Sequence, residues 1–186
     1  MKITTEQIIS DDNPLIRTRS AKVELPLADE DRELLEGMLE YVRNSQIDEI
    51  AEAENLKPAV GIAAIQLGIP KKMIAVVVPD PDDEDRNIEY ALVNPRIISE
   101  SVQNSYLEGG EGCLSVPDAH PGHAFRHARV KVRGYDLLQD EVVTIAAEGF
   151  LSICLQHEID HLSGILFYDH IDPSDPEKTD PEAEVY

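Results

Sequence analysis

The sequence predicts an α+β fold, with antiparallel or mixed β-sheets packed around one central buried helix that carries a His-Glu-x-x-His spacing. Three observations lead there. Residues Glu148–Leu162 hold Phe150, Leu151, Ile153, Leu155, Ile159 and Leu162, apolar nearly all round, as a buried helix is. Arg129–Tyr135 alternates polar and apolar residues, and Val142–Ala146 opens on β-branched ones, the pattern of paired strands. Asp29–Asn44 instead keeps Leu34, Leu35, Met38, Leu39 and Val42 on one stripe, the mark of an amphipathic helix.

In chain order, Asp29 is expected to cap the first helix. Ser45–Leu56, acidic and alanine-rich, reads as a short helix followed by a loop. Met73–Val78 is a short apolar run closed by Pro79, hence a strand. Pro79–Asp85 carries two prolines among acidic residues and is expected to be a solvated loop. The strand pattern resumes over Ile88–Ile98, interrupted at Asn94-Pro95. Leu137–Asp140 is the expected hairpin loop, and Gly164 the stop for the buried helix. Residues 1–170 are expected to form a single catalytic domain. Residues 171–186, rich in proline and acid, are expected to be a mobile tail.

Composition narrows the function classes. The formal charge is −21, from 37 acidic and 16 basic residues, which repels phosphates and argues against stable nucleic-acid binding. No apolar run reaches the ~20 residues that span a bilayer, so no membrane association is expected. Met1–Ser10 has no apolar h-region, which predicts a cytoplasmic protein. Two cysteines, Cys113 and Cys154, do not make a disulfide framework.

The chemistry concentrates in His157-Glu158-Ile159-Asp160-His161. Histidines four apart share one helix face and can reach one metal ion, with Glu158 beside them. On the wheel, Phe150, Cys154, His157 and His161 fall within about 60° of each other. A catalytic ion of this kind takes three protein ligands and keeps one position for water. Cys113, in Glu111-Gly112-Cys113-Leu114-Ser115, is the candidate third ligand. Cys154, one turn before His157, is its rival. A third segment, Gly61–Gly68, packs small residues around a single amide, Gln66.

Taken together and in order, these segments resemble the peptide deformylases. The chain has Ala59-Val60-Gly61-Ile62-Ala63-Ala64-Ile65-Gln66, then Glu111-Gly112-Cys113-Leu114-Ser115, then Gln156-His157-Glu158-Ile159-Asp160-His161-Leu162. The likeness runs from about Ile8 to Asp172, and the insertion before the first motif resembles the type II, Gram-positive branch. Two positions depart from the family pattern: Ala59 stands where a glycine is usual, and Ile65 where a proline is. The resemblance implies removal of the N-formyl group from the initiator methionine of new polypeptides, releasing formate. It implies that Cys113, His157 and His161 hold one divalent ion, Fe2+ first, with Zn2+ or Ni2+ also admitted. It implies that Glu158 moves the proton, and that Gln66 and the Leu114 amide stabilise the oxyanion. Gly61 is expected to pair with the substrate backbone, and Ile62 and Leu155 to line the methionine pocket.

The expected partners are nascent N-formylmethionyl chains, with transient ribosome proximity through a local basic patch around Arg126, Arg129, Lys131 and Arg133, since the acidic surface is a poor match for RNA. The protein is expected to be a monomer. Two other readings compete. One is a different His-Glu-x-x-His metallohydrolase, with a third ligand among Asp169, His170 and Asp172. The other is a catalytically impaired paralogue that keeps the metal site.

Overall fold

A computed structural model describes all 186 residues. Helix α1 spans Asp29–Ser45 and α2 spans Asp48–Glu54. Strands follow as β1 (Gly61–Ala63), β2 (Met73–Asp80), β3 (Asp83–Glu100), β4 (Asn104–Tyr106), β5 (Arg126–His127), β6 (Arg129–Asp136) and β7 (Glu141–Glu148). Helix α3 covers Gly149–His161, and β8 covers Glu184–Val185. The main sheet runs β1-β2-β3-β6-β7, antiparallel throughout. A small second sheet runs β5-β4-β8 and contains the parallel pair β4–β8.

The centre of the main sheet is buried on both faces. Ile62, Met73, Ala75, Val77, Ala91 and Val93 pack with α1 on one side. Ala63, Ile74, Val76, Leu92, Val130 and Val132 pack with α3 on the other. Alternation along each strand sends neighbours to opposite sides, so near-continuous apolar runs are what a two-sided core requires. The α1 stripe is buried as its spacing predicts, with Leu35, Met38 and Val42 fully enclosed. Along β6 the exposed Arg129, Lys131 and Arg133 alternate with buried Val130 and Val132.

Several expectations are corrected. Asp29 is the first helical residue of α1 and not its cap; Ala28 holds the cap position without a side-chain bond. Asp29, Glu30 and Asp31 instead place negative charge against the helix N-terminus. Pro79–Asp85 is not a loop: β2 continues through Pro79 to Asp80, and β3 begins at Asp83. The Val77 N–H points toward the β1 side, donating to the Val60 carbonyl at 2.9 Å. Two residues on, Pro79 presents its missing N–H to the same side, where β1 no longer runs, so no ladder bond is lost. The turn is tied by Asp80, which accepts from the Asp82 N–H at 2.9 Å and from Arg86 Nε at 2.8 Å.

At Asn94 the backbone has φ of 52°, and the β3–β6 register shifts between Val93 and Arg96. The Asn94 amide compensates by bonding both the N–H and the carbonyl of Val23, each at 2.8 Å. The segment expected to be a mobile tail is tied down. β8 pairs with β4, and the Tyr186 carbonyl accepts from the Glu108 N–H at 2.8 Å. Arg129 also binds Glu184 at 3.0 Å. Composition marks such a segment as unable to make its own core, but it borrows a strand edge.

Gly164 ends the turn after α3 with φ of 72°, and a Cβ there would run into the Arg17 carbonyl. Gly164→Ala is therefore expected to lower stability by about 2 kcal/mol or more, since strain and steric overlap add. Thermal and urea denaturation of the purified variant check this.

Candidate metal centre

Helix α3 supplies one wall of the site. Its residues Ile153, Cys154, His157 and Glu158 line one cavity of about 520 Å³, and Phe150 joins them from its first turn. The opposite wall is the segment after β4, including Leu107, Gly112, Cys113 and Leu114. The ligand atoms of Cys113, His157 and His161 all lie within 4.8 Å of one another. Cys113 Sγ is 3.4 Å from His161 Nε2. Cys154 lies in the cavity wall but outside this cluster, and burial pushes its thiol up, so it stays protonated.

The donor set fits a divalent ion. His157 Nδ1 is 2.7 Å from Glu111 Oε1, which leaves Nε2 as its free nitrogen. Burial alone would lower the His157 pKa, but contacts with Cys113 and Glu111 outweigh it and raise the pKa to about 10. His161 is held neutral, its pKa pushed well down by burial and by His157, which suits an imidazole ligand. One thiolate with two imidazoles is a set for zinc, iron or nickel, not for calcium or magnesium.

Glu158 is 4% exposed, and its Oε2 has no hydrogen-bond partner. Burial raises its pKa to about 7, near where a residue that both takes and gives a proton works best. Gly61 makes room for it: a Cβ at Gly61 would sit 2.5 Å from Glu158 Oε1. Gln66 is 1% exposed and fixed in orientation. Its Oε1 accepts from the Ala63 N–H at 2.8 Å, so its amide NH2 faces Ser115 Oγ at 3.1 Å and Cys113 Sγ at 3.5 Å. Gly61, Gln66, Cys113, Leu114, His157 and Glu158 all border the one cavity. Ala59 keeps a non-positive φ, so the replaced glycine brings no backbone strain.

Ile62 and Leu155 are corrected. Both are 0% exposed and neither borders the cavity. Ile62 lies on the α1 side of β1, opposite Gly61 and Ala63 in the strand alternation. Leu155 is turned about 160° from His157 on the helix and faces the sheet. The apolar cavity wall is made by Val60, Leu107, Val116, Phe150, Ile153 and Cys154.

Sequence reasoning missed a buried charge chain. Arg126, 3% exposed, binds Glu111 through Nε at 2.9 Å and Nη2 at 3.0 Å. Its Nη1 reaches Asp160 at 2.5 Å, and Asp160 reaches His170 Nε2 at 2.7 Å. Burial would raise the Glu111 pKa, but His157 and Arg126 outweigh it and hold it at about 2. Glu111 and Asp160 were both inside quoted motifs; nothing local announced that Arg126 would join them. The proposed basic patch fails for this reason, since Arg126 is interior and Arg129 is occupied by Glu184 and Gln103. The alternative ligands fail as well. Asp169 binds Arg17 and the Leu166 N–H, His170 binds Asp160, and Asp172 binds Ser174.

Residues 5–177 match the family model described as polypeptide deformylase. The chain is 48% identical over 183 residues to Peptide deformylase 2 of Bacillus subtilis, covering 98% of this chain and 97% of that protein. It is 47% identical over 184 residues to a peptide deformylase of Ligilactobacillus salivarius, covering 98% of each. Among solved structures it is similar to the Met-Ala-Ser-bound class I type b peptide deformylase of Acinetobacter baumannii. That match has a TM-score of 0.70 and 31% identity, over 92% of this chain and 100% of the other.

Cys113→Ser and Cys154→Ala are expected to separate cleanly. The first replaces a soft thiolate with a protonated hydroxyl and should abolish tight metal binding and activity. The second removes one buried sulfur and should cost about 1–2 kcal/mol of stability with the metal kept. Metal stoichiometry and thermal denaturation of both variants check this.

Proposed function

This chain belongs to the polypeptide deformylase family, and we propose that it removes the N-formyl group of newly made polypeptides at a divalent ion held by Cys113, His157 and His161. The convergence of those three ligands beside buried Glu158 is the observation that carries the reading. A bound divalent ion supplies Lewis acidity and lowers the pKa of a water from 15.7 toward about 7. Glu158 would accept the proton of the water that attacks the formyl carbon, at the ion that Cys113, His157 and His161 would hold. As the carbon–nitrogen bond breaks, Glu158 returns the proton to the departing amine, and formate is released.

Charge that develops on the formyl oxygen meets donors already in place. The Gln66 amide is locked by the Ala63 N–H with its NH2 toward Cys113, so it needs no reorientation. Leu114 borders the same cavity, and its backbone N–H is the second donor in this reading. Donors of this kind are worth about 3–4 kcal/mol each in the transition state. β1 is an edge strand, so the substrate backbone can add to it beside Gly61. The methionine side chain enters the apolar wall of Phe150, Ile153 and Cys154.

We assign this work to one catalytic domain, with the C-terminal residues packed on it. Fe2+ is the native ion in this reading, with Zn2+ or Ni2+ accepted by the same ligands. The protein acts as a monomer in the cytoplasm, in transient proximity to the ribosome, where its substrates emerge. No helix is long and apolar enough to cross a membrane. Formate release from formyl-Met-Ala-Ser by the purified metal-loaded protein tests the proposal, and its absence overturns it.

Glu158→Ala is expected to bind metal nearly as the parent does, yet lose several orders of magnitude in turnover, as removal of an essential proton carrier does. Metal analysis paired with formate-release kinetics checks this. Purified in air, the iron form is expected to lose activity faster than the nickel or zinc form, because iron and the Cys113 thiolate both oxidise. Half-lives of the three metal forms, with and without reductant, check this.

A further inference from the structure

We infer that Lys57 is a specificity-determining residue that favours formylated chains with an acidic residue about three or four positions beyond the methionine; the inference rests on the deformylase reading above. Beside the thiols Cys113 and Cys154, the acidic and basic side chains that border the cavity are Lys57, Glu111, His157 and Glu158. The last three have largely buried side chains. Lys57 is exposed and makes no ion pair. Its nearest acidic neighbour in sequence, Glu54, is taken by Lys2 at 2.8 Å. A free cation at the mouth stands out on a chain of charge −21.

Its main chain is held in place. The Tyr41 hydroxyl donates to the Lys57 carbonyl at 3.2 Å, and the Lys57 N–H donates to Thr5 Oγ1 at 3.2 Å. Pro58 restricts Lys57 to extended conformations. The Ala59 and Val60 carbonyls are bonded to Gln46 and to the Val77 N–H, so residues 59 and 60 continue the line of β1. A substrate strand that starts at the metal ligands beside Gly61 and leaves along this line passes Lys57 four residues on. At about 3.3 Å per residue that is roughly 13 Å, or three to four substrate residues. Distant acidic side chains are screened beyond about 10 Å at 0.1 M salt, so the local cation decides.

The test uses C-terminally amidated pentapeptides, formyl-Met-Ala-Ala-X-Ala and formyl-Met-Ala-Ala-Ala-X, with X as Asp, Asn or Lys. In one of the two series kcat/KM is expected to favour Asp over Lys by about two- to fivefold at low salt, the range of an exposed ion pair. The preference should shrink at about 0.5 M salt, where screening is strong. Lys57→Gln should flatten it and Lys57→Glu should invert it. Equal rates for Asp and Lys in both series, or a preference unchanged in Lys57→Glu, would overturn the inference. Formyl-Met-Ala amide, too short to reach Lys57, reports the chemistry alone. If it yields formate without discrimination among the longer peptides, only the role of Lys57 falls. If it yields none, the deformylase reading falls with it.

Discussion

Arg126, buried between Glu111 and Asp160, is the contact on which the geometry of the centre depends. It comes from β5, Glu111 from the segment after β4, and Asp160 from α3. One guanidinium therefore ties three separate pieces of chain together. Glu111 lies two residues before Cys113, and Asp160 lies beside His161. Holding the two carboxylates holds the Cys113 sulfur against the two imidazoles. Removing one partner of such a buried set leaves an uncompensated charge, at a cost of about 3–5 kcal/mol. The charge also reaches His157, whose Nδ1 bonds Glu111 and whose other nitrogen is thereby aimed into the cluster.

Close packing supplies the second constraint. The main sheet is covered by α1 on one side and α3 on the other, so β1 and α3 lie directly against each other. Where they touch, Gly61 gives the space that the Glu158 carboxylate fills. The same enclosure takes Glu158 out of water and lifts its pKa to about 7. Proximity and proton affinity thus have one cause, and the edge position of β1 leaves the opposite side of Gly61 open to a peptide.

The readings that failed share a physical reason. Charge and proline content predict a loop from Pro79, but the strand continues because the missing N–H of Pro79 faces an unpaired flank. The acidic C-terminal segment was taken as mobile because it has no core of its own, yet β4 offers it an edge. Ile62 and Leu155 are expected to line the methionine pocket. Each points the other way, by strand alternation in one case and helical rotation in the other. Arg126 was read with its basic neighbours as surface, although it is the one member of that group not on the alternating exposed face of β6.

The sequence by itself determined the elements and the outline of the chemistry: the buried all-apolar helix, the α1 stripe, the β6–β7 hairpin, and the candidate ligands His157 and His161, with Cys113 and Cys154 as rivals for the third place. These are legible because periodicity and short motifs are local, set by residues within a turn or two of each other. Only the tertiary structure decided that Cys113 and not Cys154 lies with His157 and His161 in one cluster that could hold a metal ion. It also decided which side chains wall the cavity and that Arg126 is interior. Those outcomes depend on contacts between residues 15 to 50 positions apart, such as Arg126 with Glu111 and His157 with Glu111. No window along the chain contains them, because burial and pairing are properties of the folded neighbourhood.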